Sequence, residues 1–200
     1  MLAKNIVKFI LRVISGKFIK FKLIYLAELC STLRASLLLK KLVKVKFDGF
    51  DWIYKWKNSA AVSSTYFYNP CFYNSDLDLF FFKYKPKIGD IIVNVGVANG
   101  SEIPEFSRLV GNEGKVFAIE ADPACCRRLK KLKKILNLEN LIIVEIAIGK
   151  KNQKIKFSQE TDEISNRVLS NGESHQNFIE IEQVIFDDAL KEFNLNIIDF

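Results

Sequence analysis

Two hundred residues, 49% of them apolar and with only 4 Pro and 9 Gly, can build one domain with a real core and exclude a disordered or low-complexity chain. The net charge of +7 is unevenly placed. Residues 1–46 carry 11 Lys/Arg against a single acid, Glu28, whereas the remaining 154 carry 19 against 22, so the basic character belongs to an N-terminal arm.

The four cysteines, Cys30, Cys71, Cys125 and Cys126, form no C-x-x-C pair, and His175 is the one histidine. No zinc ligand set can be assembled from them, so no metal is expected. Cys125-Cys126 reads as a pair of small buried hydrophobes, and free thiols suit a reducing, cytoplasmic setting.

The arm comes first. Leu2, Ile6, Phe9, Ile10 and Val13 share one helical face and Lys4, Lys8 and Arg12 another, with Ser15-Gly16 able to end the helix. A second helical pattern runs from about Phe18 to Val43. Charges interrupt each apolar run well short of the ~18 residues that a spanning helix needs, and no small-x-small cleavage site follows. Two readings of residues 1–46 are open. One is a helical extension covering one side of the domain; the other is an amphipathic helix in peripheral contact with an anionic membrane surface. Nucleic acid is not expected as a partner, because the lysines alternate with Ile, Leu and Phe and no RNA-binding motif accompanies them.

Residues 47–85 form an aromatic-rich stretch. Phe50, Trp52, Tyr54 and Trp56 alternate with Asp51, Ile53 and Lys55, which is strand periodicity. Asn69-Pro70 and Asn74-Ser75-Asp76 are turn signals. A small aromatic sub-layer is expected here, a sugar- or base-stacking surface being the other reading.

Residues 86–200 are the most regular. Gly89-Asp90 is a turn, Ile91–Val95 a buried parallel strand, and Gly96 and Gly100 bracket a tight loop. Ser101 can cap a helix whose Ile103, Phe106, Leu109 and Val110 share a face, with Pro104 in its first turn. A strand, a glycine loop and a helix N-terminus make a nucleotide-type site. A second strand, Lys115–Ile119, stops at Glu120-Ala121-Asp122-Pro123, where Asp122 suits an N-cap and Pro123 a first helical residue. The helix over 123–136 should bury Leu129, Leu132 and Leu136 and expose Arg127, Arg128, Lys130, Lys131, Lys133 and Lys134. A third strand, Leu141–Ile146, completes a βαβαβ unit. Lys154–Phe157 and Phe178–Ile185 read as two further strands, a hairpin being one arrangement, around a long polar loop, Ser158–Asn177, of a length that is often functional. Asp187-Asp188 can start a last helix, Ala189–Phe193, and Ile197–Phe200 resembles the beginning of a strand.

A glycine loop after strand one and an acid after strand two are the two halves of a ribose-nucleoside site. Glu120 lies 24 residues after Gly96, close to the ~20 expected of a ribose-binding acid. A nicotinamide site wants G-x-G-x-x-G for the pyrophosphate. Here Ala98 stands at the middle position and the spacing is Gly96-x-x-x-Gly100, which suits a ligand without a pyrophosphate, such as S-adenosylmethionine.

The run Gly89-Asp-Ile-Ile-Val-Asn-Val-Gly96-Val-Ala-Asn-Gly100-Ser-Glu102, then Gly114-Lys-Val-Phe-Ala-Ile-Glu120-Ala-Asp122-Pro123, resembles the first two motifs of the FkbM-type methyltransferases. Asn137–Asn140, Val144–Gly149 and Val184–Asp188 are similar to that family's later landmarks. The resemblance implies an α/β fold, a Rossmann-like class I methyltransferase sheet with a basic helical N-terminal extension. The chain then divides into an arm (1–46), an aromatic sub-layer (47–85) and a partial methyltransferase domain (86–200). It implies S-adenosylmethionine as cofactor and O-methylation of a sugar or other glycosyl hydroxyl, with a small-molecule or glycan acceptor. By the same resemblance Gly96 and Gly100 cradle the methionine end, Glu120 holds the ribose, and Asp122 and Ala147 lie near the adenine. Asn94 stands where the family usually has Asp, keeping the shape and losing the charge. The family's sheet order, 3-2-1-4-5-7-6, and its Lys-x-Asp-x-Glu-Gly segment imply that this chain reaches only the start of strand 4. An incomplete sheet, with its C-terminal strands missing, and weak or no turnover are therefore expected. The alternative function is a non-catalytic membrane-surface or scaffold protein that keeps part of a nucleotide fold.

Overall fold

A computed structural model describes residues 17–66, 68–69, 79–158, 166–169, 177–195 and 198–200. The chain divides into two compact units, Met1–Cys71 and Phe72–Phe200. The expected first helix over residues 2–13, the turns at Pro70 and 74–76, and His175 lie outside the described residues.

In the first unit, helix α1 (Lys17–Leu39) precedes an antiparallel meander of β1 (Val43–Phe47), β2 (Trp52–Trp56) and β3 (Ser59–Ser63), in that order in the sheet. Val43 faces Trp56 and Phe47 faces Trp52 across the first pair; Trp52 faces Ser63 and Trp56 faces Ser59 across the second. Period-2 alternation puts Val43, Val45, Trp52, Tyr54 and Trp56 on one face, where they form a core with Ala35 and Leu39 of α1. The strand pattern is as expected from Trp52 on. Phe50 is not part of it: it sits in the β1–β2 turn and is 81% exposed, because the Asp48 carboxylate accepts the Phe50 and Asp51 N–H groups and closes the turn there.

Residues Glu28, Thr32 and Ser36, one turn of α1 apart, accept the backbone N–H groups of Phe47, Val45 and Val43 at 2.8, 3.0 and 3.0 Å. Four helical residues rise about 6 Å and two strand residues about 6.6 Å. The two repeats therefore stay in step, and the helix satisfies the free edge of β1. The boundary expected at residue 46 is corrected by this: it falls inside β1, and the arm and the aromatic strands belong to one unit.

In the second unit, β4 (Ile91–Val95), α2 (Ile103–Val110), β5 (Lys115–Ile119), α3 (Pro123–Leu136) and β6 (Leu141–Val144) give a parallel sheet of order β4-β5-β6. Ile92, Phe106, Val110, Val116, Leu129 and Leu141 lie in its core. The third strand stops two residues short of the expected Ile146. After the break at Glu145-Ile146 the chain joins a second sheet of order β7-β9-β8, made by β7 (Ala147–Gly149), β8 (Gln153–Ser158) and β9 (Phe178–Ile185). β8 and β9 pair antiparallel, from Gln153 opposite Gln183 to Ser158 opposite Phe178, as the hairpin reading expects; β7 pairs parallel to β9. Helix α4 (Phe186–Glu192) begins before Asp187-Asp188, which lie in its first turn without capping it through a side chain. On α3 the expected exposure of Arg128 is corrected: it is 1% exposed and its guanidinium donates to the Cys125 sulfur at 3.3 Å.

Residues 198–200 run along β4. Asp199 N–H donates to Ile91 O at 3.0 Å and Val93 N–H to Phe200 O at 2.8 Å. Residues 92 and 94 turn their backbone groups toward β5, so 91 and 93 face the other way. The segment therefore lies on the edge of β4 away from β5, where a fourth strand of the expected order belongs.

Candidate functional site

The C-terminal ends of β4 and β5 meet at the site. Gly96 N–H donates to Ile119 O at 2.9 Å, tying the glycine loop to β5. Gly96 has φ of +77°, a left-handed conformation that glycine adopts without strain, and a Cβ there would meet nothing within 4 Å, so its face is open. Ala98, at φ +49°, holds the same region with a side chain, a cost sustained where surrounding contacts fix the loop. One such contact is Glu120. Its Oε2 accepts the Ala98 N–H at 2.6 Å and its Oε1 accepts the Asp122 N–H at 2.8 Å, so one carboxylate joins the glycine loop to the start of α3.

Asp122 is 2% exposed and is the N-cap of α3, as expected: Oδ1 accepts the Ala124 N–H at 2.8 Å. Its Oδ2 accepts Asn166 Nδ2 at 2.9 Å. Asn166 belongs to residues 166–169, a short segment held on β8 by Ser158 N–H to Arg167 O and Leu169 N–H to Lys156 O, at 2.8 and 2.9 Å. Nothing in the residue pattern singles out Asn166; the only sequence signal is the length of its loop.

These groups border a cavity of about 400 Å³. Gly96, Ala98, Glu120, Asp122 and Asn166 supply its polar edge, and Cys125, Ile146, Ala147, Ile148 and Phe157 its apolar walls. Burial, then the neighbouring Asp122 carboxylate, pushes the Cys125 thiol up to about 12. Burial, then Glu145, does the same to Cys126. Both are buried thiols that pack, as expected, with burial disfavouring the thiolate.

Of the six expected cofactor residues, Gly96, Glu120, Asp122 and Ala147 line this cavity; Asn94 and Gly100 do not. Asn94 Nδ2 donates to Glu102 Oε1 at 2.6 Å, and Ser101 Oγ donates to the other oxygen of that carboxylate at 3.1 Å. A carboxyl group, absent at position 94, is thus present at 102, where it is buried. Ser101, drawn to Glu102, does not cap α2, whose N-cap residue Glu102 makes no side-chain capping bond either. At Gly100 an added Cβ would lie 2.3 Å from Leu129 Cδ2, so this glycine lets the loop pack on α3.

A parallel β4-β5-β6 sheet with helical crossovers, and a cavity at its C-terminal edge between a glycine loop and an acid, define a partial Rossmann-like nucleotide-cofactor fold. The FkbM methyltransferase domain matches residues 90–200, more than half of the chain, and the chain belongs to that family. With membership comes the family's methyl donor, S-adenosylmethionine.

No curated protein matches. Eighteen chains of solved structures do. One is a SAM dependent methyltransferase from Aquifex aeolicus, at 21% identity and a TM-score of 0.33, covering 43% of this chain and 50% of that one. Another is a protein-L-isoaspartate O-methyltransferase, at 24% identity and a TM-score of 0.34, covering 52% and 28%. A third is Aeropyrum pernix fibrillarin in complex with natively bound S-adenosyl-L-methionine, at 18% identity and a TM-score of 0.30, covering 52% and 56%. The chain thus spans about half or less of two of these structures and 56% of the third.

Proposed function

We propose that the cavity beside Gly96 and Glu120 takes S-adenosylmethionine and that the protein directs its methyl group to a hydroxyl of a sugar or other glycosyl acceptor. Bound there, the cofactor supplies an electrophilic methyl group on a sulfonium. The observation that carries the reading is the Glu120 carboxylate. Each oxygen accepts one backbone N–H and keeps a lone pair for a ribose hydroxyl at the cavity edge. The residues fit the group in two other respects. Gly96 leaves open space where a side chain would intrude, and Ile146, Ile148 and Phe157 offer apolar surface to a flat purine. Asp122 has both oxygens engaged, by Ala124 and Asn166, and acts by holding the cavity edge in place.

Titration calorimetry of the chain with S-adenosylmethionine, S-adenosylhomocysteine and NAD tests the cofactor. The first two should bind and NAD should not, and Glu120→Ala should weaken binding by about tenfold or more. Tighter binding of NAD would sink the proposal. Transfer of labelled methyl to a panel of glycan hydroxyls, against amine and carboxylate acceptors, tests the acceptor class.

A further inference from the structure

Each apolar face of a helix needs cover, and among the described residues α1 has it on one side only. Its Ser31, Ala35 and Leu39 are buried in the first unit, and its Glu28, Thr32 and Ser36 hold β1. On the opposite side Leu26, Leu29, Leu33 and Leu37 are between 47% and 77% exposed. Their spacing of three, four and four residues aligns them in a single stripe about 17 Å long. Exposed Tyr25 and Cys30 border it, and Leu42, 87% exposed, follows the helix. Leucines exposed singly are ordinary; a continuous stripe marks a surface that meets something apolar.

The charges indicate what it meets. Lys22 stands at one end of the stripe and Lys40 and Lys41 just beyond the other, all exposed. The one acid of residues 1–46, Glu28, is turned to the Phe47 N–H. The stripe is therefore bracketed by cations and carries no carboxylate. A second copy laid on this face would bring one lysine-bracketed surface against another, within units that each hold 13 Lys/Arg and 3 acids over residues 1–71. Among the described residues no helix is long and apolar enough to cross a membrane. An apolar stripe between lysines, on a helix that lies flat on its own sheet, suits an interface that is apolar below and anionic at its rim. We propose that this face of α1 docks on an anionic lipid bilayer, with Leu26, Leu29, Leu33 and Leu37 at the acyl boundary and the lysines among the headgroup phosphates. The inference stands apart from the cofactor site.

Flotation of the whole chain with vesicles tests it. The chain should float with vesicles in which about a third of the phosphatidylcholine is replaced by phosphatidylglycerol, and not with phosphatidylcholine alone. The variant carrying Leu29→Glu, Leu33→Glu and Leu37→Glu changes only exposed positions and should keep its melting temperature while its affinity falls by about tenfold or more. In the unaltered protein, Cys30 lies in the docked face, so the anionic vesicles should slow its alkylation by iodoacetamide. Undiminished binding of the triple variant would place the contact elsewhere, residues 1–16 included, and overturn the proposal. So would failure of the unaltered chain to float, unprotected Cys30, or a dimer by light scattering that the triple variant dissociates.

Discussion

Glu120 shows how one side chain can fix a loop and still border the cavity. Both of its oxygens receive a backbone N–H, from Ala98 and from Asp122. Glutamine has the same shape but one oxygen and one NH₂ group, so whichever way the amide turns, a donor meets a donor. Glu120→Gln should therefore cost about as much stability as Glu120→Ala, about 1–3 kcal/mol for a buried donor left unmet. Urea unfolding monitored by fluorescence would measure it, and a neutral Gln variant would contradict the assigned bonds. The vicinal thiols behave differently. Cys125 and Cys126 are raised to about 12, chiefly by burial. An acid whose folded pKa lies above its unfolded value of 9.0 favours the fold only while neutral. Their contribution is intact below pH 9 and is lost as pH climbs from 9 toward 12. Melting temperature should fall across that window, and less steeply in Cys125→Ala/Cys126→Ala. At pH 8 iodoacetamide should modify exposed Cys30 and spare Cys125 and Cys126, as read by peptide mass spectrometry.

At the scale of elements, the fastening of α1 to β1 is a contact whose energy can be read in steps. Thr32→Val and Ser36→Ala each remove the acceptor of an edge-strand N–H and should cost about 1 kcal/mol, with Glu28→Ala costing more because its acceptor is charged. Equal melting of all three variants and the parent would show that water replaces the helix without loss. This contact was not legible in the sequence. Glu28, Thr32 and Ser36 read as ordinary polar residues of a basic arm until β1 is seen beside them, which is why a boundary at residue 46 looked reasonable. The elements that were legible have local causes. Asp122-Pro123 announces a helix start through capping chemistry that acts within three residues. Ile91–Val95 and Lys115–Ile119 announce buried parallel strands through unbroken apolar runs. Asn166 and the Asn94–Glu102 pair were hidden because their partners lie on other elements. At Gly100 the sequence does not show the close approach to a neighbouring helix, which only the position of Leu129 reveals.

Over the whole molecule the charges separate as the units do. Residues 1–71 hold 13 Lys/Arg and 3 acids, and residues 72–200 hold 17 and 20, so the first unit is +10 and the second −3. The proposed cofactor cavity belongs to the second unit and would rely on backbone donors, a carboxylate and apolar walls, which salt scarcely touches. The proposed lipid face belongs to the first and relies on lysines at an anionic surface. Raising ionic strength from about 0.1 M to 1 M shortens the screening length from about 10 Å to about 3 Å. Vesicle affinity should therefore drop steeply across that range while S-adenosylmethionine affinity stays within about twofold, since no long-range charge pair supports it. Flotation and calorimetry on the same preparation would show the two curves diverge. A parallel fall in both would mean that the basic unit attracts the cofactor's carboxylate as well as the bilayer, and that the two units share one electrostatic task. Divergence would make the leucine stripe and its lysines an address, separate from the chemistry proposed for the glycine loop and Glu120.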